Sequence, residues 1–173
     1  SVTSGPGLAP ALWVGITFSQ ALGKLWNIPV IGTNHMEGHI ASTLIENSDD
    51  RKVQFPALAL LISGGHTEFV LIENWGKYKV IGQTRDDAVG EAFDKAARML
   101  GLPYPGGPEI SRLAEYARTE NIPHTAKFTR PMLHSNTLDF SFSGLKTAVL
   151  YYIRDNFNDT SPLLENDKAN IAR

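Results

Sequence analysis

The sequence predicts an α/β protein, because three consecutive strand-like runs are flanked on both sides by segments with helical periodicity. The strand runs are FPALALLIS, TEFVLIE and YKVIGQT, and short turns containing glycine separate them. Strands this close together predict an antiparallel meander, since a parallel pairing needs a crossover of roughly a dozen residues. A meander followed by helices is typical of an α/β domain with a mixed sheet.

Apolar residues at helical spacing predict the elements around the meander. The first helix covers residues 8–26, and NIPVIGT after it predicts a short buried strand. The next helix begins near Asn34, a favourable N-cap residue. After the meander, one helix ends at Gly101 as its C′ residue, one opens at Pro108 and one is capped by Ser143.

Composition excludes several kinds of protein and site. The chain has no cysteine, so disulfides and thiolate metal sites are excluded, and a metal would need His, Asp, Glu or Tyr ligands. The net charge of −2 argues against nucleic-acid binding through bulk charge and leaves a local basic patch open. No apolar run approaches the roughly 18 residues of a membrane span. The opening SVTSGPG lacks the features of a signal or transit peptide.

The stretch NHMEGH places His35 and His39 four residues apart on a predicted helix. Residues at this spacing lie about 40° apart around the helix axis, so both imidazoles can bind one metal ion. A structural role for each histidine is the alternative. Glu37 points about 200° away from His35, whereas the general base of a zinc protease directly follows the first histidine. A third ligand is therefore expected from elsewhere in the fold.

Two glycine pairs occur, in LISGGHT at residues 61–67 and in YPGGP at residues 104–108. Glycine permits positive φ and lets the backbone approach a ligand, and successive N–H groups can hold a phosphate. The second pair precedes a helix, whose N-terminus favours an anion. Taken singly, each pair favours a plain structural turn. Two such pairs in one small chain add weight to a nucleotide-binding site.

Two charged residues stand out from the predicted helices. Asp94 follows Ala92 and Phe93 in apolar surroundings, although a solvated helix face is the alternative. Lys146 lies in the first turn of a helix, where a cation opposes the helix dipole, and this predicts that it meets an anion. An exposed lysine is the alternative there.

Cations also cluster in and just before the predicted loop at residues 121–139, which two prolines interrupt. They form a modest basic patch able to meet phosphates, although a plain solvated loop is the favoured interpretation. The patch consists of Arg118, His124, Lys127, Arg130 and His134.

Five motifs occur along the chain, in the order SGPGL, NHMEGH, LISGGHT, DDAVGEAFDKAARMLGLPYPGGP and FSFSGLKTAV. Together they resemble one family over essentially all 173 residues. This is the tRNA threonylcarbamoyladenosine biosynthesis transferase family, formerly called O-sialoglycoprotein endopeptidases, and HMEGH resembles its bacterial or organellar branch. The resemblance implies an actin-like, sugar-kinase-like ATPase fold, related to ribonuclease H, with two lobes around a nucleotide cleft. Residues 1–55 would end the first lobe with the metal-binding helix, and residues 56–173 would begin the second.

The resemblance also implies a reaction. The family transfers a threonylcarbamoyl group from threonylcarbamoyl-adenylate to the N6 amine of the adenosine 3′ of the anticodon, in tRNAs reading codons that begin with A. One divalent metal per subunit, Fe²⁺ or zinc, would be held by His35, His39 and an aspartate outside this chain. The residues implied in substrate binding are Leu61, Ile62, Ser63, Gly64, Gly65, Asp94 and Gly107.

The implied partners are tRNA, the adenylate, a paralogous scaffold subunit and a small ATPase subunit, in the cytoplasm rather than the mitochondrion and without a membrane. Family members usually begin earlier and continue well past Arg173, so these 173 residues alone are expected to be inactive. Two alternatives remain. A metallopeptidase is disfavoured by the position of Glu37, and a non-catalytic scaffold paralogue would be expected to lose the histidine pair.

Overall fold

The computed structural model of the chain describes residues 1–45, 54–157 and 162–173. Its first elements are β1 (Val2–Gly5), α1 (Ala9–Trp26), β2 (Gly32–Asn34) and α2 (His35–Ile45). β1 and β2 pair in parallel as a two-stranded sheet, with Thr3 opposite Thr33. The prediction of a buried strand after α1 was wrong, because only the last residues of that run pair and all of β2 is exposed. The polar run SDDRKVQ at residues 48–54 predicts a solvated loop after α2, and all of it except Gln54 lies outside the described residues.

The predicted antiparallel meander is confirmed. It consists of β3 (Ala57–Ile62), β4 (Thr67–Asn74) and β5 (Lys77–Gln83), in that order. Parallel and antiparallel pairing therefore occur in two separate sheets of the described residues, rather than in one mixed sheet. Ile40 packs against Val70 and Ile72, so α2 joins the meander through side-chain contacts and not through strand pairing.

Four helices follow the meander in the described residues: α3 (Val89–Met99), α4 (Gly106–Thr119), α5 (Ser143–Asn156) and α6 (Glu165–Ala172). Gly101 follows α3 with φ of +66°, which confirms it as the C′ residue. α4 begins two residues before Pro108, and Ser143 is the first helical residue of α5 rather than its N-cap. Residues 121–139 contain no helix or strand, as predicted.

The helical core lies where α3 to α6 meet. Leu100 and Leu113 are its fully buried large side chains among the described residues. Leu100 packs with Val149 and Ile171, whereas Leu113 packs with α6. This core fixes the starting points of α3, α4 and α5 relative to the meander, and these starting points build the candidate site.

Large apolar side chains remain exposed on α1 and on one face of β3. Trp13 and Phe18 of α1 are 60% and 64% exposed, and Leu58 and Ile62 of β3 are 58% and 60% exposed. The apolar periodicity of α1 therefore reflects contacts that the described residues do not make. No helix among those residues is long and apolar enough to cross a membrane.

Candidate active site

Helix α2 receives its N-cap from the residue just before it, as predicted. Asn34 Oδ1 accepts hydrogen bonds from the backbone N–H groups of Met36, at 2.8 Å, and Glu37, at 3.2 Å. These bonds satisfy two of the amides that a helix N-terminus leaves free. The first turn of α2, which carries His35, is thereby held in place by local sequence.

The two histidines of α2 converge as their spacing predicts. His35 Nε2 and His39 Nε2 lie 2.9 Å apart, and the ring centroids are separated by 4.7 Å. His35 Nδ1 donates to the carbonyl oxygen of Pro6 at 3.1 Å. Because a carbonyl can only accept, this bond places the proton on Nδ1 and leaves the lone pair of His35 Nε2 available to a metal. Both side chains line an open cavity of about 590 Å³.

The donor atoms of this pair fit part of a metal site. Two nitrogens 2.9 Å apart are close enough to share one ion whose metal–nitrogen bonds are about 2.0–2.1 Å long. Among the residues that the structure describes, no third His, Cys, Asp or Glu joins them, and this includes Glu37. The histidines therefore offer two nitrogen donors, and Glu37 does not add a third.

The first glycine pair lies in a tight turn stabilised by Ser63. Ser63 N donates to His66 O at 2.9 Å, while Ser63 Oγ accepts from the N–H groups of Gly65 and His66 at 3.2 and 3.0 Å. The serine hydroxyl closes the turn, and neither Gly64 nor Gly65 has a positive φ. A Cβ on Gly64 or Gly65 would meet nothing within 4 Å. The turn thus keeps open space above its backbone.

The side chains of Leu61 and Ile62 point to opposite faces of the strand that leads into this turn. Leu61 packs against the buried cluster containing Val70, whereas Ile62 is 60% exposed. The side chain of Leu61 therefore belongs to the core, and its backbone is the part left for contact with a substrate.

Gly90 of α3 packs directly on this turn. A Cβ on Gly90 would lie 2.8 Å from Ser63 O and 2.9 Å from Gly64 Cα, closer than real Cβ atoms come. The N–H of Gly90 also donates to Ser63 O at 3.3 Å. Glycine at position 90 thus allows the N-terminus of α3 to contact the backbone of the turn.

The second glycine pair approaches the same face of α3 one to two turns further along. A Cβ on Gly106 would lie 2.4 Å from Ala97 Cβ and 2.9 Å from Asp94 Cα. Gly107 has nothing within 4 Å of its Cβ position, and its φ is not positive. Because Gly90, Asp94 and Ala97 follow helical spacing, both glycine turns lie against one face of α3. The structure therefore brings the predicted nucleotide-binding turns together.

Asp94 has a role that its sequence position did not reveal. Its Oδ1 accepts from the N–H of Gly106 at 2.8 Å, so a side chain of α3 caps the N-terminus of α4. Pro105, the N-cap residue of α4, makes no side-chain capping bond. Within the described residues Asp94 Oδ2 has no hydrogen-bond partner, and this leaves one oxygen of Asp94 for a ligand.

Sequence reasoning missed the role of Asp86, which joins the start of α3 to the start of α5. Its carboxylate accepts from the hydroxyls of Ser141 and Ser143, both at 2.6 Å, and from the N–H groups of Phe142 and Ser143, at 2.8 and 3.2 Å. Burial by itself raises the pKa of Asp86, but these hydrogen bonds outweigh it and lower the pKa to about 2. The serines at alternate positions in FSFSG were the available signal.

Asp87 supplies the anion that Lys146 was predicted to meet. Its carboxylate is 2.8 Å from Lys95 Nζ and 3.3 Å from Lys146 Nζ, and Lys95 also pairs with Glu91 at 2.6 Å. The hydrogen bond from Lys95, followed by the contribution of Lys146, lowers the pKa of Asp87 although burial opposes it. In this structure Lys146 therefore pairs with a carboxylate of the protein and ties α5 to the start of α3.

Comparison with known proteins identifies the family. A family profile described as tRNA N6-adenosine threonylcarbamoyltransferase matches residues 1–173, the whole chain. The chain belongs to this family. Curated relatives with the same description include proteins of Herminiimonas arsenicoxydans, 52% identical over 171 residues, and Endomicrobium trichonymphae, 56% identical over 154 residues.

The match covers most of this chain but only part of each relative. It includes 99% of the chain and 47% of the Herminiimonas protein, and 89% of the chain and 43% of the Endomicrobium protein. A protein of Geotalea daltonii is 53% identical over 156 residues, which are 90% of the chain and 43% of that relative. The chain thus spans about half the length of the curated family members it matches.

Proposed function

We propose that the protein transfers a threonylcarbamoyl group from threonylcarbamoyl-adenylate to the N6 amine of the adenosine 3′ of the anticodon, in tRNAs reading codons that begin with A. The observation that carries this proposal is the match of every residue of the chain to a transferase family described by that activity on tRNA. The relatives' shared description supports it.

The paired glycine turns support a site for the adenylate. The open space above Gly64 and Gly107 admits a phosphate or sugar close to the backbone, and both turns lie against α3. Gly107 is in the first turn of α4, where the helix dipole favours a phosphate. The free oxygen of Asp94 would accept hydrogen bonds from the ribose hydroxyls, while its other oxygen accepts from Gly106 N at the start of α4. Backbone contact is the role proposed for Leu61, Ile62, Ser63 and Gly65.

His35 and His39 would hold the divalent ion, iron or zinc, together with an aspartate outside this chain. When bound, the ion would supply Lewis-acid activation of an oxygen of the donor. The contribution of this chain is to orient the ligands. The hydrogen bond from His35 to Pro6 O fixes the tautomer, and the cap from Asn34 fixes the first turn of α2.

The proposed reaction mainly requires that the adenosine N6 and the carbamoyl carbon of the adenylate be held in position. The adenosine N6 attacks the carbamoyl carbon of the mixed anhydride, the bond from that carbon to the phosphate oxygen breaks, and AMP leaves while the amine loses a proton to solvent. A good leaving group makes a covalent enzyme intermediate unnecessary, and the absence of cysteine is no obstacle. Holding the adenylate on two backbone turns is the kind of contribution that this reaction requires.

The proposal extends to the wider assembly. Residues 1–55 would end the first lobe and residues 56–173 begin the second lobe of an actin-like ATPase fold, which the observed α/β elements are compatible with. A paralogous scaffold subunit and a small ATPase subunit would be partners, and the cytoplasm the location.

The decisive experiment compares three variants of the full-length protein. His35→Ala and His39→Ala should each lose the bound metal and stop threonylcarbamoylation of tRNA with supplied adenylate, because each removes one of two converging ligands. Glu37→Gln, the matched control on the same helix, should keep most of the metal and most of the activity. Metal content, tRNA modification and glycoprotein cleavage would be measured on each. Metal-dependent cleavage that disappears in Glu37→Gln would overturn the transferase proposal in favour of a peptidase.

A further inference from the structure

A cleft of about 660 Å³ opens beside the meander, on a surface to which no role has been assigned above. One wall is formed by the loop at residues 124–133, and the other by Phe69 of β4 and by residues 138–142. Three of the five cations of the predicted basic patch line it: His124, Lys127 and Arg130. Arg118 is not among the lining residues, because it lies on α4 and pairs with Glu115 at 2.6 Å.

One wall of the cleft is a row of aromatic rings. The centroids of Phe69 and Phe140 are 5.0 Å apart, and those of Phe140 and Phe142 are 6.1 Å apart with only 15° between the ring planes. All three are partly exposed. The row is held by hydrogen bonds from its backbone N–H groups, from Phe140 N to the carbonyl oxygen of Gln83 at 3.0 Å and from Phe142 N to the side-chain Oδ1 of Asp86 at 2.8 Å. A fixed aromatic surface of this kind needs little ordering when a flat ring stacks on it.

The opposite wall carries uncompensated positive charge. Lys127 and Arg130 are exposed and have no carboxylate partner in the part of the chain that the structure describes. Asp139 is the one carboxylate that lines the cleft, and Arg85 neutralises it through a contact of 2.5 Å. Arg173 also lines the cleft and adds to its positive charge. The cleft therefore pairs an aromatic wall with a cationic wall, whereas the chain as a whole has a net charge of −2.

We propose that this cleft binds an unpaired stretch of the RNA substrate, with bases stacked on Phe69, Phe140 and Phe142 and phosphates on Lys127 and Arg130. The inference rests on the proposed function, which makes tRNA the substrate. Stacking on aromatic side chains together with cations along the backbone is how proteins bind single-stranded RNA. A nucleotide whose base undergoes chemistry must be unstacked, so neighbouring bases need a surface of this kind.

The position of the cleft relative to the glycine turns supports the assignment. Phe69 is two residues after Thr67 and so lies on the same face of β4. Thr67 Oγ1 accepts from Val89 N at 2.9 Å, at the start of the helix on which both glycine turns pack. The aromatic wall thus begins next to the N-terminus of α3. RNA in the cleft would approach the proposed adenylate site from the meander side.

The charge arm of the test uses Lys127→Ala/Arg130→Ala in the full-length protein. Binding of a fluorescein-labelled anticodon stem-loop RNA is measured by anisotropy over a series of salt concentrations. The double variant should bind roughly tenfold or more weakly, and the slope of log K against log salt should fall by about 1.4, because two phosphate contacts to single-stranded RNA are lost. Lys77→Ala/Lys79→Ala is the matched control, since these exposed lysines of β5 lie outside the cleft and should leave both quantities unchanged.

The stacking arm uses Phe140→Leu, which keeps apolar volume but removes the ring. The same RNA should bind roughly five- to a hundredfold more weakly, the range expected for one lost stacking contact. Phe140→Trp should bind as the unmodified protein does, which a merely structural role of the side chain does not predict. Phe55→Leu is the control for loss of a phenylalanine elsewhere, because Phe55 packs on Trp75 away from the cleft. Thermal unfolding and adenylate binding of each variant separate folding from RNA contact.

The outcomes distinguish the two proposals. If the unmodified protein modifies tRNA but both cleft variants bind RNA normally, the cleft assignment is wrong and the proposed function stands. If the unmodified protein neither binds nor modifies tRNA, both are wrong. Unchanged RNA binding together with a change in mass by light scattering would make the cleft a protein–protein contact and also overturn the assignment.

Discussion

Helix α2 and helices α3 to α5 begin in physically different ways. Asn34 caps α2 from the adjacent position in sequence. By contrast, Thr67 Oγ1 accepts from the start of α3, Asp94 Oδ1 from the start of α4 and Asp86 from the start of α5. Along the sequence, the capping residue and the residue whose N–H it accepts are 22 residues apart for α3, 12 for α4 and 56 for α5. The start of α2 is thus fixed by its neighbouring residue, whereas the starts of the other three helices depend on side chains from other elements of the fold.

This difference matches what the two regions are proposed to do. The histidine pair is exposed and offers two converging nitrogen donors, so the proposed metal would need a further ligand from outside the pair. The α3 region is already assembled, because its glycine turns pack on one face and Asp86 and Asp87 join it to α5. Local caps suit a region that accepts a further ligand, and distant caps suit one whose backbone must be held in a fixed shape.

The largest effect should come from breaking the packing in the α3 region. In Gly106→Val the new Cβ would lie 2.4 Å from Ala97 Cβ, and overpacking of this kind costs about 1–3 kcal/mol of unfolding free energy, occasionally more. Gly107→Val and Gly64→Val meet no protein atom within 4 Å, so they should leave the stability unchanged while abolishing nucleotide binding. Urea denaturation and calorimetric titration of the full-length protein give the two readouts. Unchanged nucleotide affinity in the two open-space variants would return both turns to a structural role.

Asp94 should show an effect on both binding and stability. Asp94→Ala should weaken adenylate binding roughly ten- to a hundredfold through loss of charge-assisted bonds to the ribose, and lower the unfolding free energy by about 1 kcal/mol through loss of the cap on α4. Asp94→Asn keeps an acceptor for Gly106 N, so it should recover the stability but not the full affinity. An equal loss of affinity for a phosphate analogue without ribose would contradict the ribose assignment.

The smallest effect concerns the clamp between α3 and α5, by which we mean the hydrogen bonds that Asp86 accepts from Ser141, Phe142 and Ser143. The pKa of Asp86, about 2, lies below the ordinary aspartate value of 3.8, so its stabilising contribution is present above about pH 4 and is lost as the pH falls toward 2. At neutral pH Asp86→Asn should cost roughly 1 kcal/mol, discounted because more than a third of the residue is exposed. The difference in unfolding free energy between the unmodified protein and this variant should shrink between about pH 4 and 2.

Urea denaturation at several acidic pH values measures that difference. Ser143→Ala, which removes one donor but keeps the carboxylate, should show an intermediate dependence on pH. Parallel stability curves for the unmodified protein and Asp86→Asn over this range would contradict the clamp.

The sequence by itself determined the features that depend on neighbours within about ten residues. Alternating and apolar runs gave the meander, because side-chain direction repeats every two residues along a strand. The spacing of His35 and His39 placed their nitrogens together, since residues four apart share a helix face. The cap at Asn34 and the left-handed Gly101 followed from the same local rules. The family was also recognisable at this level, from motifs in order.

Only the tertiary structure decided which distant groups complete each other. Ser63 closes its own turn, Asp94 caps another helix, and Lys146 pairs with Asp87. The basic loop became a cleft only when Phe69 and Phe140 formed its other wall. The physical reason is that hydrogen bonds and ion pairs depend on distances of a few ångströms between groups that chain folding brings together. The spacing of residues along the sequence does not set those distances once the partners lie on different elements.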